Sequence, residues 1–345
     1  MAGSSRKLSI DTLRGLACIL LVSYHVIGNE PAAGLRLPHD HVLAQVNDTL
    51  ALLRMPLFSF LSGFVYAWRP YSGNPEVFVK AKVRRLIVPL LLVGTFFAVL
   101  QSHTPGANGG QYDWRLLHIV PVAHFWFLES LFIIFMLTIV LERFGLLATG
   151  RRFALVWLAA AAVFLLDPMP VYLGLQGATY LLPFFLLGLG SNRFGERLPR
   201  AGVMISTAAV LVALVLYLAV VARTLPNRSE FVALVISVCA CVFLLRCHFE
   251  VRWLAWIGVY SFAIYLFHSM FSAASRIALL HVGVNAVPLL FTLGLLAGVS
   301  GPIVVAMILH RVPGGHLPLG ESKPKRTRPA VAVGPFAETG VPKQN

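Results

Sequence analysis

The sequence predicts an all-α integral membrane protein, a polytopic helical bundle of about ten transmembrane helices. Hydrophobic residues make up 58% of the 345 residues, charged residues only 12%, and the mean hydropathy is +0.79. Soluble domains carry about twice that charged fraction. The net charge of +14 is therefore better explained by orientation in a lipid bilayer than by nucleic-acid binding, and we expect no nucleic-acid partner.

Ten apolar segments follow one another along the chain and are joined mostly by short loops. The predicted segments are 9–29, 48–68, 84–101, 119–141, 152–167, 171–190, 201–222, 231–247, 254–274 and 286–309. The fifth is short because basic residues precede it and Asp167-Pro168 ends it. The membrane domain is thus expected over 1–310, followed by a disordered basic cytoplasmic tail over 311–345.

The distribution of basic residues predicts the orientation in the membrane. With a cytoplasmic N-terminus, twenty-one of the 28 lysines and arginines fall on the cytoplasmic side. Five are expected in the opposite loops: Arg36, Arg115, Arg223, Arg228 and Arg276. The positive-inside rule then places both termini in the cytoplasm of a bacterial cell, with the chain in its cytoplasmic membrane. The first segment contains charges and lacks a small-residue cleavage site, so we expect no cleavable signal peptide.

The cysteines and the outer-loop histidines give little sign of a cross-link or a metal site. Cys18, Cys239, Cys241 and Cys247 lie in or beside apolar segments without paired spacing, which is typical of reduced packing residues. The pair His39 and His41 with Asp40 has no further ligands at useful spacing. We therefore expect no disulfide framework and no bound metal.

The first segment, Leu8 to Gly28, carries Asp11, Arg14 and His25. At about 100° per residue, the eleven positions between Arg14 and His25 return the helix to the same face. At about 1.5 Å per residue the two residues lie roughly 16 Å apart along the axis. Ionisable groups inside a membrane helix are costly and usually face a wet cavity that serves function. We expect both side chains to face one shared chamber.

Five sequence elements, in order, resemble the membrane acyltransferase-3 family. They are Asp11, Arg14 and His25 of the first helix; Ser62-Gly63-Phe64 at the end of MPLFSFLSGF; the run KVRRLIVP from Lys82 to Pro89; HFWFLESLF from His124 to Phe132; and SFAIYLFH from Ser261 to His268. Lys82 stands where the family usually has the first arginine of its basic run. The resemblance extends from about residue 8 to residue 310, and the chain is most similar to the stand-alone sugar O-acetylases of the family.

The resemblance implies transfer of an acyl group, commonly acetyl from acetyl-coenzyme A, to a hydroxyl of a sugar, exported glycan, glycolipid or secondary metabolite. Lys82, Arg84 and Arg85 are the expected donor-binding residues, since basic side chains hold phosphates by charge-assisted hydrogen bonds. Alternatively, this basic stretch only sets the topology. Arg14 would meet the pantetheine amides or the thioester oxygen, or it forms a structural ion pair with Asp11. The two roles of Arg14 are compatible.

His25 is the expected general base, with Arg14 and Asp11 completing the predicted catalytic group. A neutral imidazole accepts a hydroxyl proton near neutral pH. His25 would alternatively carry the acyl group itself as a covalent intermediate. The sequence does not distinguish these two roles.

Seven further residues are candidates for the acceptor site or its cavity: Arg54, Ser62, His124, Trp126, Glu129, Tyr265 and His268. A buried Arg54 needs a partner, for which Glu129 is the hypothesis. Aromatic faces such as Trp126 suit a sugar ring or belong to the interfacial belt. Tyr265 and His268 are three residues apart and share a helix face.

Two other function classes compete with this interpretation. A polytopic transporter or exporter without acyl-transfer chemistry also suits buried charges, although no internal repeat of the kind common in transporters is visible. A different class of membrane acyltransferase uses a histidine in a late helix, a part His268 would play. That alternative leaves Arg14 and His25 unexplained.

Overall fold

The computed structural model describes most of the chain and shows an all-helical architecture. It describes residues 2–28, 30, 32–109, 111–195, 199–217, 226–227 and 229–322, with backbone alone for 2–7 and 217. Within these ranges the α-helices are α1 Ala2–Ile27, α2 Val42–Tyr66, α3 Pro75–Lys82, α4 Thr95–His103, α5 Trp126–Arg143, α6 Gly150–Leu166, α7 Leu175–Arg193, α8 Arg200–Tyr217, α9 Phe231–Cys247, α10 Arg252–Val259, α11 Ser261–His281 and α12 Val287–Leu309. An isolated bridge between Leu117 and Val120 is the one β-type pairing in this part of the chain.

Seven helical stretches of the described residues are long and apolar enough to cross a membrane, and eight if one bent pair counts as a span. The seven are Leu8–Ile27, Val42–Tyr66, Pro75–His103, Ala123–Arg143, Tyr172–Arg193, Ser261–His281 and Val287–Leu309. A polytopic helical membrane bundle is therefore confirmed, whereas the count of about ten is not. The predicted fifth segment is α6, a helix of 17 residues, shorter than the about 20 that a bilayer core requires.

The ninth predicted segment, 254–274, is wrong as a single helix. It covers α10 and part of α11, which are separated at Tyr260, where the backbone leaves helical geometry (φ −92°, ψ 11°). The bent pair of the described structure is α9 with α10, whose axes differ by 118°. Apolar residues continue across the break at Tyr260, so hydropathy alone does not reveal it, whereas His248 and Glu250 mark the break between α9 and α10 in the sequence.

The first residues of the predicted tail lie against the bundle. Residues 311–322 form consecutive turns, where disorder was predicted from residue 311. Leu319 is buried, and its carbonyl oxygen accepts a hydrogen bond from Arg85 Nη1 at 2.8 Å, which holds this stretch on the bundle. Residues 323–345 of the predicted tail, and 218–222 of the seventh predicted segment, lie outside the described residues.

Pairs of glycines bring helices into close contact. A Cβ at Gly63 of α2 would strike the carbonyl oxygen of Phe185 in α7, and one at Gly188 of α7 would strike that of Phe60 in α2. The same reciprocal arrangement joins α1 and α10 through Gly15 and Gly258. Small residues permit such close crossings in membrane proteins, where packing drives helix association.

The third span, Pro75–His103, is not a regular α-helix. It contains two π-helical turns, Val83–Ile87 and Leu90–Gly94, between α3 and α4. Each π-turn accommodates an extra residue and changes the direction of the side chains around it. The basic run recognised in the sequence lies at the first of these turns.

Two of the four cysteines are packing residues of the apolar core. All four are free; Cys18, Cys239 and Cys241 are buried, and Cys247 is partly exposed. Cys18 and Cys241 belong to the apolar contacts between the central helices.

Candidate active site

Two cavities lie along α1, one beside its middle and the other at its C-terminal end. The larger, about 840 Å³, is lined by Arg14, Arg69, Lys82 and Arg85 and is called the basic cavity. The smaller, about 370 Å³, is lined by His25 and His124 and is called the histidine cavity. The predicted single chamber is therefore wrong, because Arg14 and His25 line different cavities. The roughly 16 Å between the two residues along the helix axis leaves room for side chains that separate the two cavities.

The basic cavity is lined by cations that lie against aromatic rings. Lys82 Nζ lies 3.5 Å from the centre of the Phe135 ring, and the Arg85 guanidinium lies 4.0 Å from that of Phe262. Arg14 Nη1 is 3.2 Å from Asp11 Oδ1, so the predicted ion pair between them is present. No acidic residue is among the side chains that line this cavity. Its electrostatic potential is therefore positive.

Arg84 differs from its neighbours in the basic run. Its side chain is exposed and does not line the basic cavity, whereas Lys82 and Arg85 do. Residues three apart on a helix share a face, and the residue between them is rotated away. The structure thus brings two of the three predicted donor-binding residues together with Arg14.

Ser62 also lines the basic cavity, close to the glycine that joins α2 to α7. Its hydroxyl donates to the carbonyl oxygen of Phe58 at 2.8 Å, one turn earlier in α2. Because that bond is local, the hydroxyl oxygen still has acceptor capacity toward the cavity. Ser62 is therefore a lining residue of the larger cavity, away from His25.

Three histidines from three parts of the chain pack together, and two of them, His25 and His124, line the histidine cavity. The ring centres of His25 and His268 are 4.7 Å apart, those of His124 and His268 4.8 Å, and those of His25 and His124 5.5 Å. His25 ends α1, His124 lies in the 3₁₀ turn Ala123–Phe125, and His268 lies in α11. The structure therefore places two of the candidate acceptor residues against the predicted catalytic histidine.

The contacts of His268 determine its tautomer. Its Nδ1 lies 2.8 Å from the carbonyl oxygen of Ile264 and 3.0 Å from that of Tyr265. A carbonyl oxygen only accepts, so Nδ1 carries the proton and Nε2 of the neutral ring keeps its lone pair. Nε2 of both His268 and His124 is buried without a hydrogen-bond partner among the described residues. The cluster thus has unused basic nitrogens beside His25.

Tyr265 connects the two cavities. Its ring lines the basic cavity, and its hydroxyl donates to the carbonyl oxygen of His124 at 2.6 Å. His124 in turn lines the histidine cavity. The sequence placed Tyr265 and His268 on one helix face; in the structure Tyr265 lines the basic cavity, whereas His268 packs against His25 and His124.

Arg54 and Glu129 do not form the hypothesised pair. Arg54 is buried and donates from Nη2 to the side-chain oxygen of Asn47 at 2.8 Å and to the Asn47 carbonyl oxygen. Its guanidinium also lies 4.4 Å from the centre of the Tyr24 ring. Both carboxyl oxygens of Glu129 are buried without a hydrogen-bond partner in the described structure. Arg54 is therefore partnered by Asn47 and the Tyr24 ring in place of the Glu129 carboxylate. Counting charged residues in the sequence does not reveal such partners.

Glu129 and Trp126 lie outside both cavities. Neither side chain is among the residues that line them. Trp126 packs against Gly177 of α7, and Glu129 lies against Gly174 at the start of that helix. These two candidates belong to the α5–α7 contact.

Arg276 was missed as a site residue because it was assigned to an outer loop. It is buried in α11 and lines the histidine cavity. Nη1 donates to the carbonyl oxygen of Gly34 at 2.5 Å and to Asn108 Oδ1 at 3.2 Å, and Nη2 donates to the Gly106 carbonyl oxygen at 2.9 Å. It shares a face with His268 two turns earlier, a spacing that would have revealed it.

Comparison with known proteins gives a consistent result. A family described as "Acyltransferase domain" matches residues 7–311. The chain is similar to "Putative membrane-bound acyltransferase YfiQ" of Bacillus subtilis (strain 168), with 24% identity over 365 residues that cover 94% of this chain and 97% of the relative. No solved structure matches it significantly. The matched range contains every residue that lines the two cavities.

Proposed function

Since the chain belongs to the membrane acyltransferase-3 family, we propose that this membrane acyltransferase moves an acyl group from acyl-coenzyme A, acetyl first among them, to a hydroxyl. The acceptor class is a sugar, an exported glycan, a glycolipid or a secondary metabolite. The observation that carries the proposal is the arrangement of one helix, α1, with Arg14 in a basic cavity and His25 in a separate histidine cavity.

The basic cavity suits a coenzyme A thioester. The donor is polyanionic at its nucleotide end; Lys82 and Arg85 offer cations without a paired carboxylate among the described residues, and Arg14, paired with Asp11, adds a third. The aromatic walls suit the less polar pantetheine arm. Because His25 is about 16 Å further along α1, a single thioester carbonyl does not contact both Arg14 and His25. Arg14 therefore binds the donor in this proposal and does not stabilise the oxyanion.

The histidine cavity suits the acceptor hydroxyl. The acceptor oxygen attacks the thioester carbonyl carbon while His25 takes its proton, the C–S bond breaks, and coenzyme A leaves as the thiolate. The proton on His25 then passes to the thiolate or to solvent. His124 and His268 surround His25 with neutral rings, which keeps its own ring available as a base. A covalent acyl-His25 intermediate is the alternative course of the same reaction.

The predicted orientation places the basic cavity on the cytoplasmic side, where acyl-coenzyme A is made. The histidine cavity then faces the opposite side of the bacterial cytoplasmic membrane, where exported glycans are found. The acyl group thus crosses most of the bilayer within the protein.

The direct test measures turnover of labelled acetyl-coenzyme A by the purified protein in detergent. We expect slow hydrolysis without an acceptor, and a loss of about a hundredfold or more in His25→Gln, the range typical of a removed general base. His281→Gln, an exposed histidine at the end of α11, is the matched control and should keep wild-type turnover. Equal turnover in the two variants would remove His25 from the chemistry.

The transporter alternative makes the opposite prediction. A carrier would bind no thioester, and solute movement would survive His25→Gln. Ester analysis of surface glycans and lipids from a strain lacking the gene would identify the acceptor, since the missing ester reports both the acyl group and its site.

A further inference from the structure

Tyr265 is the point at which the linings of the two cavities touch. Its ring faces the basic cavity, and its hydroxyl bonds the main-chain carbonyl of His124, a residue of the histidine cavity. Tyr265 is 3% exposed and His124 6%. The Phe127 ring lies 5.5 Å from that of Tyr265 on the same wall. The hydrogen bond is therefore part of the partition between the two cavities.

The residue that accepts this hydrogen bond, His124, lies in a strained turn. Ala123, which begins the 3₁₀ turn, has φ 43°, a left-handed value that costs about 1 kcal/mol or more for a residue with a Cβ. Strained residues persist only where their surroundings hold them. The carbonyl of His124 accepts from the Trp126 backbone N–H within the turn and from Tyr265 across to α11. The tyrosine hydroxyl is thus the tether that binds the turn to a neighbouring helix.

We infer that Tyr265 is a specificity-determining residue that favours acyl transfer to the acceptor over loss of the acyl group to water. This inference rests on the proposed function. With the partition closed and no acceptor bound, water in the histidine cavity is kept from the thioester carbonyl; transfer to a bound acceptor requires the partition to open. When it opens without an acceptor, water attacks the carbonyl carbon, the C–S bond breaks, and a carboxylate, a proton and free coenzyme A thiol are released.

The test compares acceptor-independent hydrolysis of acetyl-coenzyme A by wild type, Tyr265→Phe and Tyr260→Phe. Tyr265→Phe keeps the ring and removes the tether, and a hydrogen bond of ordinary net strength corresponds to about fivefold in an opening equilibrium. We expect hydrolysis to rise about fivefold in Tyr265→Phe and to stay unchanged in Tyr260→Phe, whose ring packs on Trp256 outside both cavities. Unchanged hydrolysis in Tyr265→Phe would overturn the inference. Lower hydrolysis would also overturn it, because it would give the hydroxyl a direct part in the chemistry.

A second measurement does not need catalysis. Ser62→Cys places a thiol in the basic cavity, in a chain whose partly exposed Cys247 is replaced by serine. A membrane-impermeant maleimide is added to the face of the histidine cavity, using spheroplasts and inverted vesicles to present the two faces separately. We expect no labelling from that face with Tyr265 and clear labelling with Tyr265→Phe. Equal labelling of the two forms would show that Tyr265 does not close the partition.

The two proposals fail in different ways. If the wild type neither binds nor hydrolyses acetyl-coenzyme A, the proposed donor is wrong, while the labelling experiment still tests the partition. If the wild type hydrolyses the donor and Tyr265→Phe changes neither hydrolysis nor labelling, the role of Tyr265 alone is wrong. Size-exclusion chromatography of each purified variant establishes that the fold is retained.

Discussion

Four buried or half-buried cations of this protein are stabilised by oxygen dipoles and aromatic rings. Arg54 bonds Asn47, Arg276 bonds three oxygens of two loops, and Arg85 bonds a carbonyl and covers a phenyl ring. Lys82 lies between two phenyl rings. None of these four has a carboxylate within ion-pair distance among the described residues. Their positive charge is therefore left available to an anion. Lys82 and Arg85, which line the basic cavity, need this free charge if they bind an anionic donor.

Removing these two cations should weaken donor binding. We expect Lys82→Gln and Arg85→Gln each to raise the KM for acetyl-coenzyme A about tenfold, because a charge-assisted phosphate bond contributes about 1.5–3 kcal/mol, with a smaller change in kcat. Steady-state hydrolysis or transfer assays give both constants. Lys80→Gln, two residues away and paired with Glu76 at the surface, is the control and should leave KM unchanged. A fall in kcat with KM unaffected would move these residues from binding to chemistry.

Arg276 should matter for stability. Its removal in Arg276→Gln leaves the carbonyl oxygens of Gly34 and Gly106 unpaired in a buried setting, which costs about 1–3 kcal/mol. Arg276→Lys should be nearly as destabilising, since one ammonium does not reproduce the planar fork that reaches all its partners. Thermal unfolding in detergent measures both, against Arg311→Gln at an exposed position. A midpoint equal to that of the wild type would show that Arg276 does not hold the two loops.

The closest helix–helix contacts depend on glycine, and they lie beside residues that line the basic cavity. Gly63 lies next to Ser62 of the basic cavity, and Gly258 lies against the carbonyl of Asp11, whose side chain pairs with Arg14. The crossings of α2 with α7 and of α1 with α10 therefore set the position of residues that line the basic cavity. The Ser-Gly-Phe element recognised in the sequence is explained by this packing.

Gly63→Ala should separate α2 from α7. The added methyl would overlap the Phe185 carbonyl oxygen, and overpacking of a fixed backbone costs about 1–3 kcal/mol. We expect a lower thermal midpoint and lower yield of folded protein. Gly150→Ala is the matched control, because a Cβ there meets nothing within 4 Å. If both variants unfold at the wild-type temperature, the close crossing is not required.

For the molecule as a whole, the sequence predicted what depends on periodicity and composition. Hydropathy and helix geometry predict the helical class, six of the spans, and the separation of Arg14 from His25 along α1. The convergence of His124 and His268 on His25 does not, because it depends on how three distant segments pack. The exposure of Arg84 was also missed, although the spacing of Lys82 and Arg85 on one helix face would have predicted it.

The sidedness of the whole bundle has a direct test. Ser72 and Ser102 are exposed residues near the two ends of the third span, Pro75–His103. If the basic cavity faces the cytoplasm, Ser72→Cys should react with an impermeant maleimide in inverted vesicles and Ser102→Cys in spheroplasts. The reverse pattern would place the basic cavity outside the cell, where acyl-coenzyme A does not reach it.

The two π-turns of the third span have an implication for comparing members of the family. Each holds one residue more than an α-helical turn of the same rise, so deleting that residue would leave an ordinary α-helical turn and keep the helix on either side in place. Lys82 and Arg85 would then still face the cavity they line. Single-residue gaps inside this apolar stretch are therefore the length differences that the fold tolerates here.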